Sequence, residues 1–172
     1  MGGRASRAMI YIALGANLPS SVGAPEETLR RVLALLPSRG VVVEAVSPFY
    51  RSPAWPNPAD PPFVNVVARV RTKLTPADLM RVLLQIEAEF GRRRAQKNAP
   101  RTLDLDVIDY GGLVTDAAHL LLPHPAMHER AFVLRPLADL APDWRHPVTG
   151  ETVSELLRIV GEDVLRRLES AG

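Results

Sequence analysis

Cysteine is absent from the 172-residue chain, so disulfides, thiolate nucleophiles and cysteine-bound metals are excluded together. Any metal must sit on oxygen or histidine, and a reducing cytoplasm is the compartment this composition suits. No run of about 18 apolar residues occurs, which excludes a membrane-spanning helix by length. A secretory leader is not expected either, because the arginines of Met1 to Ala8 precede only a strand's length of apolar residues, Ile10 to Leu14. Charge of one sign is scarce as well. A formal net charge of +2 describes a soluble surface; nucleic-acid binding calls for a basic stripe or a recognisable module. What remains is a chain with 47% hydrophobic and 23% charged residues, enough to bury one core. Its length fits one domain, since cores commonly run to about 100–200 residues. A single domain over residues 1–172 is expected, with residues 1–8 as a flexible tail.

The periodicities give an order of elements. Ile10 to Leu14 reads as a strand closed by Gly15. Leu29, Val32, Leu33 and Leu36 fall at i, i+3, i+4 and i+7 behind Pro25, Glu26 and Glu27, an amphipathic helix stopped by Pro37 and Gly40. Val41 to Val46 and Phe63 to Thr72 read as strands, separated by the proline-rich stretch Arg51 to Pro62. Thr75, Pro76 and Asp78 cap a second helix through Phe90, ahead of Gly91. Thr102 to Tyr110 alternates as a fourth strand. The series is β-α-β-β-α-β, so the expected fold is α+β and ferredoxin-like: a mainly antiparallel sheet with helices on one face, plus C-terminal additions. Those additions include a strand at Leu120 to Leu122 and a helical period running from Val153 to Leu168.

Asp104 and Asp106 are two apart on the fourth strand, so both carboxylates leave the same face, their Cα atoms roughly 6.5–7 Å apart. Magnesium takes one or two carboxylates and completes its octahedron with water and substrate phosphates. By itself an Asp-x-Asp is as readily two charges on a solvated face. Four arginines precede it, however: Arg92, Arg93, Arg94 and Arg101. Guanidinium forks bind phosphate bidentately, and phosphoryl transfer requires positive charge on the non-bridging oxygens. No Gly-x-x-x-x-Gly-Lys-Ser/Thr loop occurs, which argues against a P-loop kinase. Downstream, His124 and His128 are four apart, but Pro123 and Pro125 oppose the helix that a zinc pair would use. A structural or phosphate-contacting role fits them better, and His119 and His146 read as surface residues.

These motifs resemble the 6-hydroxymethyl-7,8-dihydropterin pyrophosphokinases. The resemblance runs from about residue 9 to 145: Tyr11 to Asn17, Ser47 to Pro53 with Phe63-Val64-Asn65, Gly91 to Arg94, Pro100 to Asp106, Leu122 to His124, and Arg130 to Leu137. It implies a ferredoxin-like fold and transfer of the terminal two phosphates of ATP, as a unit, to the hydroxymethyl oxygen of a reduced pterin, a step of folate biosynthesis. Two Mg2+ ions held by Asp104 and Asp106 are implied, with Arg92 and Arg101 as catalytic residues. Arg94, His124 and Arg130 would contact ATP, and Glu87 would order the arginines. Ser52, Pro53, Trp55, Phe63, Asn65 and Phe132 would form the pterin slot, Phe63 and Phe132 as its aromatic walls. Ala16, Asn98 and Ala99 depart from the family pattern, none of them at an acid or principal arginine. The implied partners are ATP and the pterin, in the cytoplasm, with no nucleic acid and no membrane. Two other readings of the residues stay open: a metal-dependent phosphodiesterase or nuclease, and a ferredoxin-like nucleic-acid-binding module.

Overall fold

A computed structural model describes residues 9–54, 58–91, 103–117 and 120–168. Its elements, in chain order, are β1 (Ile10–Ala16), α1 (Pro25–Leu35), β2 (Val41–Val46), β3 (Tyr50–Ser52), β4 (Phe63–Thr72), α2 (Pro76–Glu89), β5 (Asp104–Tyr110), β6 (Thr115–Ala117), β7 (Leu120–Leu122), α3 (Ala131–Leu140), α4 (Val153–Val160) and β8 (Arg166–Arg167). Short 3-10 turns follow α1 at Leu36–Arg39 and precede α3 at Met127–Glu129. The main sheet runs β5-β1-β4-β3-β8, with β2 also paired to β4, and every pairing is antiparallel. The expected ferredoxin-like frame is present. None of the described helices is long and apolar enough to cross a membrane.

Local chemistry accounts for the two framework helices. Pro25 opens α1, and Glu26 and Glu27 sit at the positive end of its dipole. In α2, the Thr75 hydroxyl accepts from the Asp78 amide at 3.1 Å, and Gly91 takes a positive φ of 84° just past the helix end, where a side chain would be strained. Both helices bury Leu29, Val32, Leu79, Leu83 and Ile86 against Ile12, Leu14, Val66, Ala68 and Leu105 of the sheet. Each such aliphatic side chain contributes roughly 1.5–3 kcal/mol on burial.

The C-terminal additions cover the opposite face. There α3 and α4 pack Val133, Leu134, Leu137, Val153 and Leu156 on Tyr11, Val67 and Ile108. The sequence pattern gives little helix signal at α3 because Pro136 lies inside it and reads as a breaker. Helix α4 stops short of the expected helical period. Gly161 adopts φ 80° and ends it, and the chain returns extended to lay β8 along β3. Leu168 then donates its amide to the Phe49 carbonyl at 2.8 Å and packs on the first core. His146 also departs from its surface reading. It is buried, and its Nδ1 accepts from the amides of Val148 and Thr149. His119 lies outside the described residues.

Candidate active site

Strand pairing aligns the candidate residues in one row. Gly15 of β1 lies between Asp104 of β5 and Asn65 of β4, and Tyr50 of β3 lies on the far side of Asn65. Residues directly opposite one another in an antiparallel sheet project from the same face, so Asp104, Asn65 and Tyr50 share the face that α3 partly covers. The spacing from Asp104 to Asn65 is two strands, about 10 Å. Asp106 lies in the adjacent row, opposite Ala13. Thus β1 continues as a strand through Gly15 to Ala16 instead of ending at the glycine. A Cβ on Gly15 would stand 3.1 Å from Asn65 Oδ1, so the missing side chain is what lets the Asn65 amide lie between the strands.

The chain that crosses to α3 completes the cavity. Asn65, Asp104, Asp106, His124, Arg130 and Phe132 line it together, with Gly15 at its floor. His124 is fixed at several points: its amide donates to the Ile108 carbonyl at 3.0 Å, and its Nδ1 accepts from the Ala126 amide at 3.2 Å. Its Nε2 stands 3.8 Å from Asp106 Oδ2. Burial, helped by the Arg130 guanidinium and opposed by Asp104, pushes its pKa down to about 4. At neutral pH the ring is therefore uncharged, and because Nδ1 accepts, the proton is on Nε2, facing the carboxylate pair. The Arg130 guanidinium lies 5.7 Å from the centre of the Phe132 ring, a cation on an aromatic face.

Asn65 is 6% exposed, and its Nδ2 donates to Ser52 Oγ at 3.0 Å. That bond orients the amide and leaves its carbonyl edge for a ligand. Phe63 is half-buried at the start of β4, opposite Ser52 in register, and Pro53 follows Ser52 at the surface. Neither lines the cavity around the acids. Glu87 is also outside that lining. It sits on α2, 2% exposed, and its Oε2 accepts from the Leu105 amide at 2.9 Å, beneath the strand that carries both acids. Trp55, Arg92, Arg94 and Arg101 fall outside the described residues.

Three contributors were not foreseen. Gly15 acts by lacking a side chain, which no charge or periodicity pattern reveals. Asn17, the last residue of the Tyr11 to Asn17 motif, donates its Nδ2 to the Pro61 carbonyl at 3.1 Å, tying the end of β1 to the proline-rich stretch. Ser47 brackets Val67 with two bonds, its amide to the Val67 carbonyl at 2.9 Å and its Oγ accepting from the Val67 amide at 3.0 Å. Between Val46↔Ala68 and Tyr50↔Asn65 the first strand advances four residues and the second three. One extra residue at this break allows β2 and β3 to run along the same partner as a bent pair.

The structure is an α+β protein with a ferredoxin-like antiparallel sheet that sets a carboxylate pair, an imidazole and a guanidinium beside an aromatic wall. The chain belongs to the 7,8-dihydro-6-hydroxymethylpterin-pyrophosphokinase (HPPK) family, whose model matches residues 11–142. It is 45% identical over 166 residues to the 2-amino-4-hydroxy-6-hydroxymethyldihydropteridine pyrophosphokinase of Pseudomonas aeruginosa, covering 94% of this chain and 98% of that one. It is 46% identical over 121 residues to the Synechocystis enzyme of the same name, covering 70% of this chain and 62% of that one. Among solved structures, it resembles the Plasmodium falciparum HPPK-DHPS wild type at a TM-score of 0.68 and 13% identity. That match covers 92% of this chain and 48% of the other, and supports the fold.

Proposed function

We propose that this chain is a pyrophosphokinase of folate biosynthesis, one domain over residues 1–172, that moves the β,γ-diphosphate of ATP to the hydroxymethyl oxygen of 6-hydroxymethyl-7,8-dihydropterin. The carrying observation is the row Asp104–Gly15–Asn65: a polar recognition edge and a phosphate-metal platform held about two strand spacings apart on one rigid sheet. A flat heterocycle whose edge meets Asn65 would extend its hydroxymethyl arm toward the acids. Phe132 supplies an aromatic wall for it, and Ser52, Pro53, Trp55 and Phe63 complete the pterin side of the reading.

The donor set suits Mg2+. Asp104 and Asp106 are half-exposed carboxylates on one face, hard-oxygen groups that could hold the ion. This cation commonly takes one or two protein carboxylates and fills its remaining positions with water and phosphate oxygens. When bound, one or two such ions would neutralise phosphate charge and bring the acceptor hydroxyl against the β-phosphorus. The oxygen–phosphorus bond then forms as the bond from that phosphorus to the α,β-bridging oxygen breaks, AMP leaves, and the hydroxyl proton is lost to solvent. His124 offers an Nε2–H to a phosphate oxygen, and Arg130 offers a permanent cation at the same wall. Arg92 and Arg101 are assigned to the charge on the transferred group and Arg94 to ATP on sequence grounds. Glu87 supports the acid strand from below and, in this reading, the arginines too. A cytoplasmic location, with no nucleic-acid or membrane partner, belongs to the same reading.

The test is AMP release from ATP by purified protein with Mg2+. Release that requires the pterin, with stoichiometric pterin diphosphate, is the expected result. Release without pterin, or cleavage of a phosphodiester, would transfer the site to a hydrolase.

A further inference from the structure

The C-terminal segment and the Tyr50 hydroxyl have no part in the chemistry above, yet they meet at the far end of the same row. The Tyr50 hydroxyl donates to Asp139 Oδ2 on α3. Asp139 Oδ1 accepts from Arg135 Nη2 at 2.8 Å, and Arg135 Nη1 lies 3.5 Å from Glu162 Oε2. Tyr50 also pairs with Arg167 of β8, so the returning tail closes the outer edge of β3.

These bonds tie together the two walls of the acceptor slot. Tyr50 stands directly opposite Asn65, and two residues on along β3 is Ser52, which holds the Asn65 amide. Asp139 is seven residues, two helical turns, from Phe132, so the two lie on one side of α3, separated by roughly 10 Å of helix. Val133 and Leu134 dock that helix on the sheet near the cavity, and the bond between the Tyr50 phenol and the Asp139 carboxylate adds a directional contact at the helix's other end. Burial and the Asp139 carboxylate push the Tyr50 phenol up to about 12, so the donor is present throughout the neutral range.

We infer that Tyr50 and Asp139, backed by Arg135 and the tail residue Glu162, form a clamp that sets where α3 stands over β3 and β4 and thereby the width of the slot between Phe132 and Asn65. They are positioning residues for the heterocyclic acceptor. The inference rests on the pterin reading of that slot.

Steady-state kinetics on the full-length protein test it with ATP and 6-hydroxymethyl-7,8-dihydropterin varied separately. Tyr50→Phe and Asp139→Ala should each raise the KM for the pterin about tenfold, the loss of one bond between a hydroxyl and a charged acceptor, and leave the KM for ATP within about twofold. Combined, the two should cost no more than Asp139→Ala alone, because both remove the Tyr50–Asp139 bond and only the second also releases Arg135. Glu162→Gln, which loosens only the outer link, should have a smaller effect of about twofold. Asp139→Ala keeps the test available if Tyr50→Phe fails to fold. An equal rise in both KM values, or an unchanged pterin KM with only a lower melting temperature, overturns the clamp while leaving the pyrophosphokinase reading intact. Wild-type protein that forms no pterin diphosphate removes that reading, and the clamp with it.

Discussion

The face of the sheet that carries Asp104 is divided between two uses. On one half, Tyr11, Val67 and Ile108 lie under α3 and α4 in a dry apolar layer. On the other half, Asn65, Asp104 and Asp106 border a cavity that the start of α3 only partly roofs. The same three strands supply both halves, so strand identity does not distinguish them. What does is the bulge in β5: Tyr11 pairs with Asp109 while Ile12 pairs with Val107, leaving Ile108 as the extra residue. The bulge lets Ile108 and Asp109 both serve the covered half, where Asp109 accepts from the Trp144 indole at 2.9 Å and from the Gly112 amide at 2.9 Å. Carboxylates of one strand are therefore put to opposite purposes. Asp109 is buried and bonded by neutral donors; Asp104 and Asp106 stay half-exposed beside His124 and Arg130.

The sharpest break between the halves should come from exchanging damage. Asp104→Ala and Asp106→Ala are each expected to lower turnover by at least about a hundredfold, with far-UV circular dichroism and melting temperature unchanged, since neither side chain supports the core. Leu134→Ala on the covered half should do the reverse. That side chain is fully buried, and its loss is expected to destabilise by about 2–5 kcal/mol, lowering the melting temperature by roughly 5–15 °C while the folded fraction turns over normally. An acid variant that melts early with intact kcat would show that the open half is structural.

A smaller effect would sharpen the boundary on the open side. Gly15→Ala places a methyl 3.1 Å from Asn65 Oδ1, so the amide must shift by a few tenths of an ångström. The backbone there is ordinary strand, and little stability should be lost. The pterin KM is expected to rise roughly tenfold, one misaligned hydrogen bond's worth, with the ATP KM unchanged. Equal sensitivity of the two substrates would move Asn65 out of the acceptor's reach.

The frame was legible because both of its periods are strong: alternating Val64, Val66, Ala68 and Val70 can only be a half-buried strand, and Thr75-Pro76 can hardly be anything but a helix start. The acids were legible for the same reason, a period of two. The row joining Asp104 to Asn65 was not, because it depends on the register of three strands far apart in sequence, and local pattern carries no register. Helix α3 was hidden by Pro136, whose local preference is overridden by the burial of Val133, Leu134 and Leu137. Past Val160 the sequence pattern misleads, because Val164 and Leu168 continue a helical period across Gly161, and the pairing of β8 with β3 is a tertiary bond that outweighs it.

His146 gives the smallest and most selective test, on the covered side. Its ring meets Trp144 edge-on at 6.0 Å and His128 at 6.0 Å, and its Nδ1 is occupied by two backbone amides. Burial first, then His128, lowers its pKa below the ordinary 6.5, against weaker opposing pulls from Glu151 and Asp109. The unfolded chain therefore takes up the proton before the folded one does, and stability rises with pH through that interval. The contribution is complete above about 6.5 and is lost progressively below it. Asparagine at this position can accept from the amides two and three residues on, as an Asx turn does, but cannot titrate. Melting curves of wild type and His146→Asn should therefore nearly coincide at pH 7.5 and separate toward pH 5, the variant losing less. Parallel curves over that range would mean that the folded protein accommodates the proton on His146, and that the turn at Val148 and Thr149 does not depend on a neutral Nδ1.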